Sequence, residues 1–470
     1  MDKKKVAIIG GGITGITAAY YLQKEIYANN LDCEYRLFEK STKLGGKITT
    51  DYRNGFVIEM GPDSFLGRKM SASRLAKEVG LEKDLVPNGG GGAFILNNEK
   101  LYPIPGGAIM GIPTEMGPFA TTKLFSPLGK IRAAGDLILP RASDPDLDMS
   151  LGSFFRKRLG NEVVDNLIEP LLSGIYAGDI DKLSLMATFP QFHQVEQKYR
   201  SLILGMKRAK PPKQKKVPNE KPKGMFLSFK GGLQSLVDGV EKLLDEDSIV
   251  KGVGVVKIEK KDAKYELTFS SGKVEMFDYV VMATPHEVIE KTLKDYSFVS
   301  SLAEIPSTSV ATIAMAFPKS AIKKDIDGTG FVVSKNNNYN ITACTWTHKK
   351  WHHSTPEGYA LLRCYVGRAG NDAIVDWSDE EIINAVLTDL NKTMEIDEKP
   401  EFHIIRRWKN SMPQYNVGHK HRIDELKEQL QKQLPGVYVA GGSFAGIGVP
   451  DCIDQGEAVV EQIKTALQKG

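Results

Sequence analysis

The sequence contains few cysteines and no strong excess of either charge, and each absence argues against a class of protein. Its 470 residues include four widely spaced cysteines that form no Cys-x-x-Cys pair, namely Cys33, Cys344, Cys364 and Cys452. This spacing argues against a disulfide scaffold and against a bound metal, and it suits a reducing compartment. The 62 basic and 58 acidic residues leave a net charge of +4, which is too small to indicate nucleic-acid binding.

Long apolar runs are also absent, since no stretch approaches the roughly eighteen consecutive apolar residues of a transmembrane helix. The apolar stretch behind the basic N-terminus is only Val6 to Ile9, which is too short for a secretory signal. We therefore expect a cytoplasmic protein that makes at most a peripheral contact with a membrane. The eight histidines show no metal-ligand spacing, and on a strand the adjacent His352 and His353 would face opposite ways, so no metal is expected.

The N-terminal residues predict a dinucleotide-binding turn. The apolar run Val6 to Ile9 leads directly into a Gly-x-Gly-x-x-Gly motif and a helix-like stretch; the motif is Gly10, Gly11, Gly12, Ile13, Thr14 and Gly15. In a Rossmann unit these glycines allow a tight turn and a close approach to a pyrophosphate at the helix N-terminus. A second strand, residues 34–38, ends at Glu39, where a carboxylate can bind a ribose hydroxyl.

The residues after Glu39 indicate which dinucleotide binds. They are the Lys-Leu-Gly-Gly-Lys stretch 43–47, a hairpin-like segment, and Gly61, Pro62, Asp63 and Ser64. This arrangement resembles the second FAD signature of a large flavoprotein group that includes amine oxidases, phytoene desaturases and protoporphyrinogen oxidases. The resemblance implies FAD as the cofactor, with the backbone of residues 45–46 against it and Lys47 near its phosphates or its ring.

Cofactor-binding patterns appear three times, far apart in the chain, which indicates that other domains are inserted between them. The second pattern begins at residues 229–233, and the third is the buried strand and glycine turn 437–450 before the final helix. The N-terminus of that helix could meet the negative charge of a reduced flavin. Several β-rich runs between about 290 and 410 predict a separate sheet, at residues 310–317, 330–333, 341–346 and 360–366.

The predicted fold class is α/β, because a Rossmann-like FAD-binding domain of the amine-oxidase type is combined with an inserted α+β substrate domain and a helical subdomain. We assign residues 1–70, 225–290 and 411–470 to the FAD-binding domain. The substrate domain takes 71–88, 185–224 and 291–410, and the helical subdomain, a candidate membrane-facing part, takes 89–184. Residues 207–223 are rich in basic residues and prolines, and they predict a mobile surface loop.

Nearly the whole chain resembles the bacterial porphyrinogen oxidases, in particular the soluble Gram-positive type that acts in haem synthesis. The matching stretches are residues 61–66, 107–113, 168–179, 412–415 and 448–453. The most specific is Pro-Leu-Leu-Ser-Gly-Ile-Tyr-Ala-Gly-Asp, residues 170–179, which eukaryotic members share in related form and amine oxidases lack.

The resemblance implies that FAD takes hydride from a methylene bridge of a porphyrinogen while a pyrrole nitrogen loses a proton. Three such rounds would aromatise coproporphyrinogen III to coproporphyrin III, and each reduced flavin would be reoxidised by oxygen to give hydrogen peroxide. Protoporphyrinogen IX is expected as a further substrate. Flavin N5 would carry the hydride transfer without a catalytic side chain. The FAD is expected to be non-covalent, because no cysteine or histidine lies in a recognised flavin-linking motif.

Site residues are carried over from the family by position. The expected cofactor contacts are Gly10, Gly11, Gly12, Ile13, Thr14, Gly15, Glu39, Lys40, Lys47, Gly61, Pro62, Asp63, Ser64, Val255, Trp408, Gly446, Ile447 and Gly448. The expected substrate contacts are Arg68, Lys69, Ile175 and Tyr365. The two cations could pair with propionates, and the backbone carbonyl at residues 174–175 could approach the macrocycle nitrogens.

Three alternatives stay open at this point. Protoporphyrinogen IX could be the main substrate, or the chain could be a flavin amine oxidase, although residues 448–451 replace the aromatic pattern expected there. A flavin-carrying binding protein without turnover is the third. The expected partners are the porphyrinogen and oxygen, with a downstream ferrochelatase as a candidate and no nucleic acid.

Overall fold

The structure of the protein is a computed structural model, which describes residues 3–209, 224–335 and 337–469. Most of the predicted mobile loop, residues 210–223, lies outside the described residues. Within the described part, no helix has the length and apolar character needed to cross a membrane. The same residues contain no group of three or more histidine, cysteine or acidic side chains that could hold a metal ion.

A five-stranded parallel sheet forms the first layer of the fold. Its spatial order is Ile249–Lys251, Cys33–Glu39, Lys4–Ile9, Tyr279–Met282 and Val437–Val439. Residues 6–9 of the central strand are buried in succession, as expected for a strand that is covered on both faces. The strands come from distant parts of the chain, and the predicted α/β class with a Rossmann-like domain is confirmed.

Helices and a small sheet cover the two faces of the parallel sheet. One face packs against the helices Ile13–Asn29, Gln234–Glu241 and Val449–Lys469. The other face packs against two helices and an antiparallel meander, which are His286–Thr292, His419–Gln433, Val255–Lys261, Lys264–Phe269 and Val274–Phe277.

A second, seven-stranded sheet carries the predicted β-rich runs. Its order is Phe402–Pro413, Ser307–Pro318, Tyr359–Val366, Ile341–Trp346, Gly330–Val333, Ala93–Asn97 and Lys100–Pro103. All neighbours are antiparallel except the pair formed by Gly330–Val333 and Ala93–Asn97. The helix Asp379–Met394 packs on one face, and the other face meets the hairpin Thr50–Arg53 and Phe56–Glu59.

A helical cluster with its own apolar core forms the third part. Its helices are Met116–Thr121, Pro127–Ala134, Leu151–Leu159, Asn161–Val163, Glu169–Tyr176, Leu185–Thr188, Pro190–Tyr199 and Leu202–Arg208. The helices of residues 185–208 therefore pack with this cluster, although their range was assigned to the substrate domain. The hairpin of residues 93–103 belongs to the seven-stranded sheet, although its range was assigned to the helical subdomain. We propose that the helical subdomain begins after Pro103.

Short elements complete the fold. A small antiparallel sheet joins Phe65–Leu66, Phe226–Phe229 and Leu85–Pro87. The other short elements are the helix Met70–Glu78 and the antiparallel pair Ala108–Ile109 and Ile112–Pro113. A short helix, Thr347–Lys350, precedes a 3-10 turn, His352–Ser354. The two adjacent histidines thus lie in a turn and not on a strand.

Candidate functional site

The first glycine turn is shaped by close contacts between backbone atoms. The N–H of Gly10 donates to the Phe38 carbonyl at 2.8 Å, and a Cβ on Gly15 would run into the Gly10 carbonyl oxygen. The helix begins at Ile13, its N-cap Gly12 offers no side-chain cap, and its first turn contains no acidic residue. A Cβ on Gly12 would have no heavy atom within 4 Å. A helix N-terminus without a side-chain cap, its positive dipole and open space at Gly12 therefore coincide, which fits a pyrophosphate.

The residues within this motif also anchor it. Ile13 and Thr14 are 8% and 4% exposed, and Ile13 packs into the core between helix and sheet. The Gly11 carbonyl accepts from the N–H of Gly45 at 2.8 Å, so the second glycine motif lies directly against the first. The two glycine turns form one surface for the cofactor.

The expected ribose-binding end is assembled around Glu39. Its carboxylate accepts from the N–H of Gly11 at 2.6 Å and from the N–H of Ser41 at 2.8 Å. The Glu39 carbonyl accepts from the N–H of Val253 at 3.0 Å. This bond brings Val255, which is 8% exposed at the start of its strand, toward the same end, where Lys40 is exposed.

Lys47 and Gly61 are in direct contact at the centre of the site. A Cβ on Gly61 would collide with the Lys47 carbonyl oxygen, so only glycine fits there. The Lys47 ammonium donates to the Ser411 carbonyl, and desolvation by the surrounding protein lowers its pKa. The Trp408 indole N–H donates to the Met60 carbonyl at 2.8 Å, which fixes the ring beside Gly61.

Asp63 lies in a cluster of buried charges. One oxygen accepts from the Lys350 ammonium at 2.7 Å, and the other accepts from the Ser64 hydroxyl at 2.6 Å. Burial alone would raise the pKa of Asp63, but Lys350 and Arg363 hold it well below its usual range. Pro62 precedes Asp63 and is half-buried. Asp63 therefore anchors the turn through Arg363 of the strand Tyr359–Val366 and Lys350 of the short helix Thr347–Lys350.

The third turn is held by Tyr415. Its hydroxyl donates to the Gly442 carbonyl and accepts from the N–H of Gly446, each at 2.9 Å. The Gln455 side chain accepts from the N–H of Gly441 at 3.0 Å. Gly446 has a φ of +114°.

The segment that follows the third turn leads into the C-terminal helix. Ile447 packs against the helical subdomain. The Cys452 N–H donates to the Gly448 carbonyl at 3.0 Å. The final helix therefore begins at this turn.

The four expected substrate residues lie in different environments. Arg68 is exposed, whereas Lys69 forms an ion pair with Asp451. Ile175 is 46% exposed near the end of its helix. Tyr365 is half-buried, its ring centroid is 5.0 Å from the Arg363 guanidinium, and burial raises its pKa to about 12. Their contact with substrate stays a prediction.

Several residues of the site were missed in the sequence. Arg363 is the only charged residue in the apolar strand Tyr359–Val366, and a charge in such a strand is a signal of a buried, paired group. No local pattern pointed to Lys350, whose partner Asp63 is 287 residues away. Tyr415 ends the matching stretch 412–415, but that stretch gave it no role at the third turn, and none was assigned to Gln455.

The geometry of the site fits a flavin dinucleotide: two glycine turns lie against each other, an acid stands at a strand end, and a third turn precedes a helix. Comparison with known protein families agrees with this assignment. The family model described as flavin containing amine oxidoreductase matches residues 13–464. The chain belongs to this family; it is an oxidoreductase, and its cofactor is FAD.

Individual relatives narrow the resemblance. The chain is 53% identical over 465 residues to "Coproporphyrinogen III oxidase" of Bacillus subtilis (strain 168), covering 99% of both chains. It is 44% identical to the protein of that name from Staphylococcus aureus, covering 99% of this chain and 100% of the relative. A crystal structure of a candidate protoporphyrinogen oxidase from Exiguobacterium sp. 255-15 superposes with a TM-score of 0.88 at 40% identity, covering 99% of this chain and 100% of the other.

Proposed function

We propose that this chain oxidises coproporphyrinogen III to coproporphyrin III, with oxygen as the final electron acceptor, and that it also accepts protoporphyrinogen IX. The observation that carries the proposal is the 53% identity, over 99% of both chains, to the Bacillus subtilis protein named for the first substrate. The structure named for protoporphyrinogen supports the second substrate.

Bound FAD supplies hydride acceptance and the return of electrons to oxygen. Over the whole reaction the substrate loses six hydrogen atoms, and three molecules of oxygen become three of hydrogen peroxide. The task of the protein is then to hold the macrocycle in one orientation and to keep its carboxylates paired or hydrated.

The residues of this chain divide that task between them. Ile175 and Tyr365 offer apolar and aromatic surface to the macrocycle. At Gly174 an added Cβ would meet no heavy atom within 4 Å, so a flat macrocycle has room to approach the backbone there. A pyrrole N–H would then donate to the backbone carbonyl of residue 174. Arg68 is exposed, and Lys69 is paired with Asp451; in this proposal both cations pair with propionates of the bound porphyrinogen.

The decisive experiment compares aerobic turnover of coproporphyrinogen III and protoporphyrinogen IX by porphyrin fluorescence. We expect both to be oxidised, with the higher kcat/KM for coproporphyrinogen III, and we expect each to bleach the flavin without oxygen. Faster turnover of protoporphyrinogen IX at low concentration would reverse the substrate assignment. Bleaching by amines and by neither porphyrinogen would favour the amine-oxidase alternative.

The same proposal includes a cytoplasmic location, at most peripheral membrane contact and a downstream ferrochelatase as recipient of the product. Sedimentation of the purified enzyme with anionic vesicles tests the membrane contact. Porphyrin transfer between the two purified enzymes tests the ferrochelatase partner.

A further inference from the structure

Arg363 is a buried arginine between the expected flavin site and the expected substrate site. It lies on Tyr359–Val366, the third strand of the seven-stranded sheet, and is 1% exposed. Side chains two residues apart on a strand share a face, so Arg363 and Tyr365 point the same way. That face meets the hairpin that leads into the Gly61–Ser64 turn.

The contacts of the guanidinium join the two sites. Its Nη2 donates to the Gly61 carbonyl, and its central carbon lies 5.0 Å from the centroid of the Tyr365 ring. Its Nη1 is 3.8 Å from the nearer oxygen of Asp63. One side chain thus contacts a residue of the cofactor turn and a residue of the expected substrate surface.

The hydrogen-bonding capacity of Arg363 is not used up by the protein. Among the described residues, its Nε and Nη1 atoms have no hydrogen-bond partner. The nearby carboxylates are bonded elsewhere: Asp63 to Lys350 and Ser64, and Glu59 to the N–H of Leu233 and the Thr50 hydroxyl. Buried donors in native proteins are almost always satisfied, so the unpartnered groups indicate a role that packing does not explain.

We propose that Arg363 is a positioning residue of the flavin reaction, which aligns the Gly61–Ser64 turn with Tyr365 and places a positive charge that favours the reduced flavin. This inference rests on the proposed function, because it takes that turn to contact flavin and Tyr365 to contact the porphyrinogen. A positive charge near a flavin stabilises the electron-rich reduced form relative to the oxidised form.

The test compares three variants of the FAD-loaded enzyme, Arg363→Met, Arg363→Lys and Asp63→Asn. The measurements are the FAD dissociation constant, the visible circular dichroism of the flavin and its midpoint potential. Arg407→Met is the matched control. Arg407 also lies on a strand of this sheet, and its guanidinium also donates to backbone carbonyls, those of Val375 and Trp377.

We expect Arg363→Met to weaken FAD binding about tenfold, as for a lost charge-assisted hydrogen bond, and to make the midpoint potential more negative. Arg363→Lys keeps the charge and should keep the potential while FAD binding weakens. Asp63→Asn removes a negative charge and should move the potential in the positive direction. The control should change none of the three measurements.

Wild-type FAD binding, dichroism and potential in Arg363→Met would overturn the proposal. If that variant does not fold, unchanged FAD binding in Arg363→Lys together with an unchanged potential in Asp63→Asn overturns it. These readouts need no porphyrinogen, so the two proposals fail separately. The expected flavin changes without porphyrinogen turnover would leave Arg363 as a flavin-positioning residue and refute the proposed function.

Discussion

The ammonium of Lys69 and the carboxylate of Asp451 form an ion pair between residues that are 382 positions apart. The pair joins the segment after the second cofactor motif to the first turn of the C-terminal helix. The two side chains are 39% and 26% exposed, so the pair is accessible from the solvent. Lys69 therefore shares its charge with Asp451, whereas Arg68 has no ion-pair partner among the described residues.

The joint substitution of Arg68 and Lys69 by methionine should raise KM for coproporphyrinogen III more than for protoporphyrinogen IX. The first substrate carries four propionates and the second carries two, and a propionate that becomes buried without a cation is costly. For each substrate we take the ratio of KM in the double variant to KM in the wild type, and we expect this ratio to be several-fold larger for coproporphyrinogen III. Asp451→Asn, which releases Lys69 from its partner, is the control for loss of the ion pair. Equal effects on both substrates would remove these cations from the substrate site.

Gly61→Ala should abolish tight FAD binding. The added methyl group would overlap the Lys47 carbonyl oxygen, and relief of such overpacking typically costs about 1–3 kcal/mol. Gly90→Ala is the matched control, since a Cβ there meets nothing within 4 Å. Titration of the apoprotein with FAD checks the effect, and equal affinity in the two variants would contradict it.

Tyr415→Phe should weaken FAD binding and lower the free energy of unfolding by about 1–2 kcal/mol, because the N–H of Gly446 loses its acceptor. Tyr265→Phe also loses a hydroxyl hydrogen bond, to Pro435, outside the site. Denaturant unfolding should therefore show a stability loss in both variants. Only Tyr415→Phe should lose FAD affinity; a parallel loss in Tyr265→Phe would refute the assignment of Tyr415 to the cofactor turn.

Glu59→Gln should stabilise the protein increasingly as the pH rises from 5 to 8. Burial raises the pKa of Glu59 to about 7 from the ordinary 4.5. The folded state therefore holds a proton that the unfolded state has released, and the stability from this group is full below about 4.5 and lost as the pH passes 7. The gain should approach about 3 kcal/mol. Thermal melting across this range checks it, with exposed Glu357→Gln expected to show no such trend.

Acid precipitation should leave the yellow colour in the supernatant, because the FAD is predicted to be non-covalent. The nearest candidate for a flavin link is Cys452, a buried thiol whose pKa burial raises to about 11, which makes it a poor nucleophile. Cys452→Ala should therefore bind FAD as the wild type does. Colour in the protein pellet of the wild type alone would show a covalent link through this residue.

The fold was predictable from the sequence wherever its signal is local. The glycine motif Gly10–Gly15 predicts the strand before it and the helix after it. The apolar runs of residues 310–317 and 360–366 likewise lie within the strands Ser307–Pro318 and Tyr359–Val366. Each pattern can be read locally, because the order of apolar and polar residues within a segment reflects how that segment itself is buried.

Pairings between distant segments were not predictable. Nothing local shows that Ala93–Asn97 lies parallel to Gly330–Val333, because pairing partners are selected by the whole fold. The same holds for the candidate site: the glycine motifs were visible, whereas the ion pair of Lys69 and the buried position of Arg363 depend on residues hundreds of positions away.

The parallel sheet also has a consequence for the newly made chain. Its edge strand Val437–Val439 pairs with Tyr279–Met282, yet it leaves the ribosome long after the strand Cys33–Glu39 that carries the first half of the site. At 5–20 residues per second, the interval between these strands is roughly 20 to 80 s. The strand Tyr279–Met282 is made partway through this interval, and for roughly the last 8 to 30 s it has an open edge that can pair with other chains. The complete flavin site can therefore form only after the third turn, which follows the strand Val437–Val439, has been made.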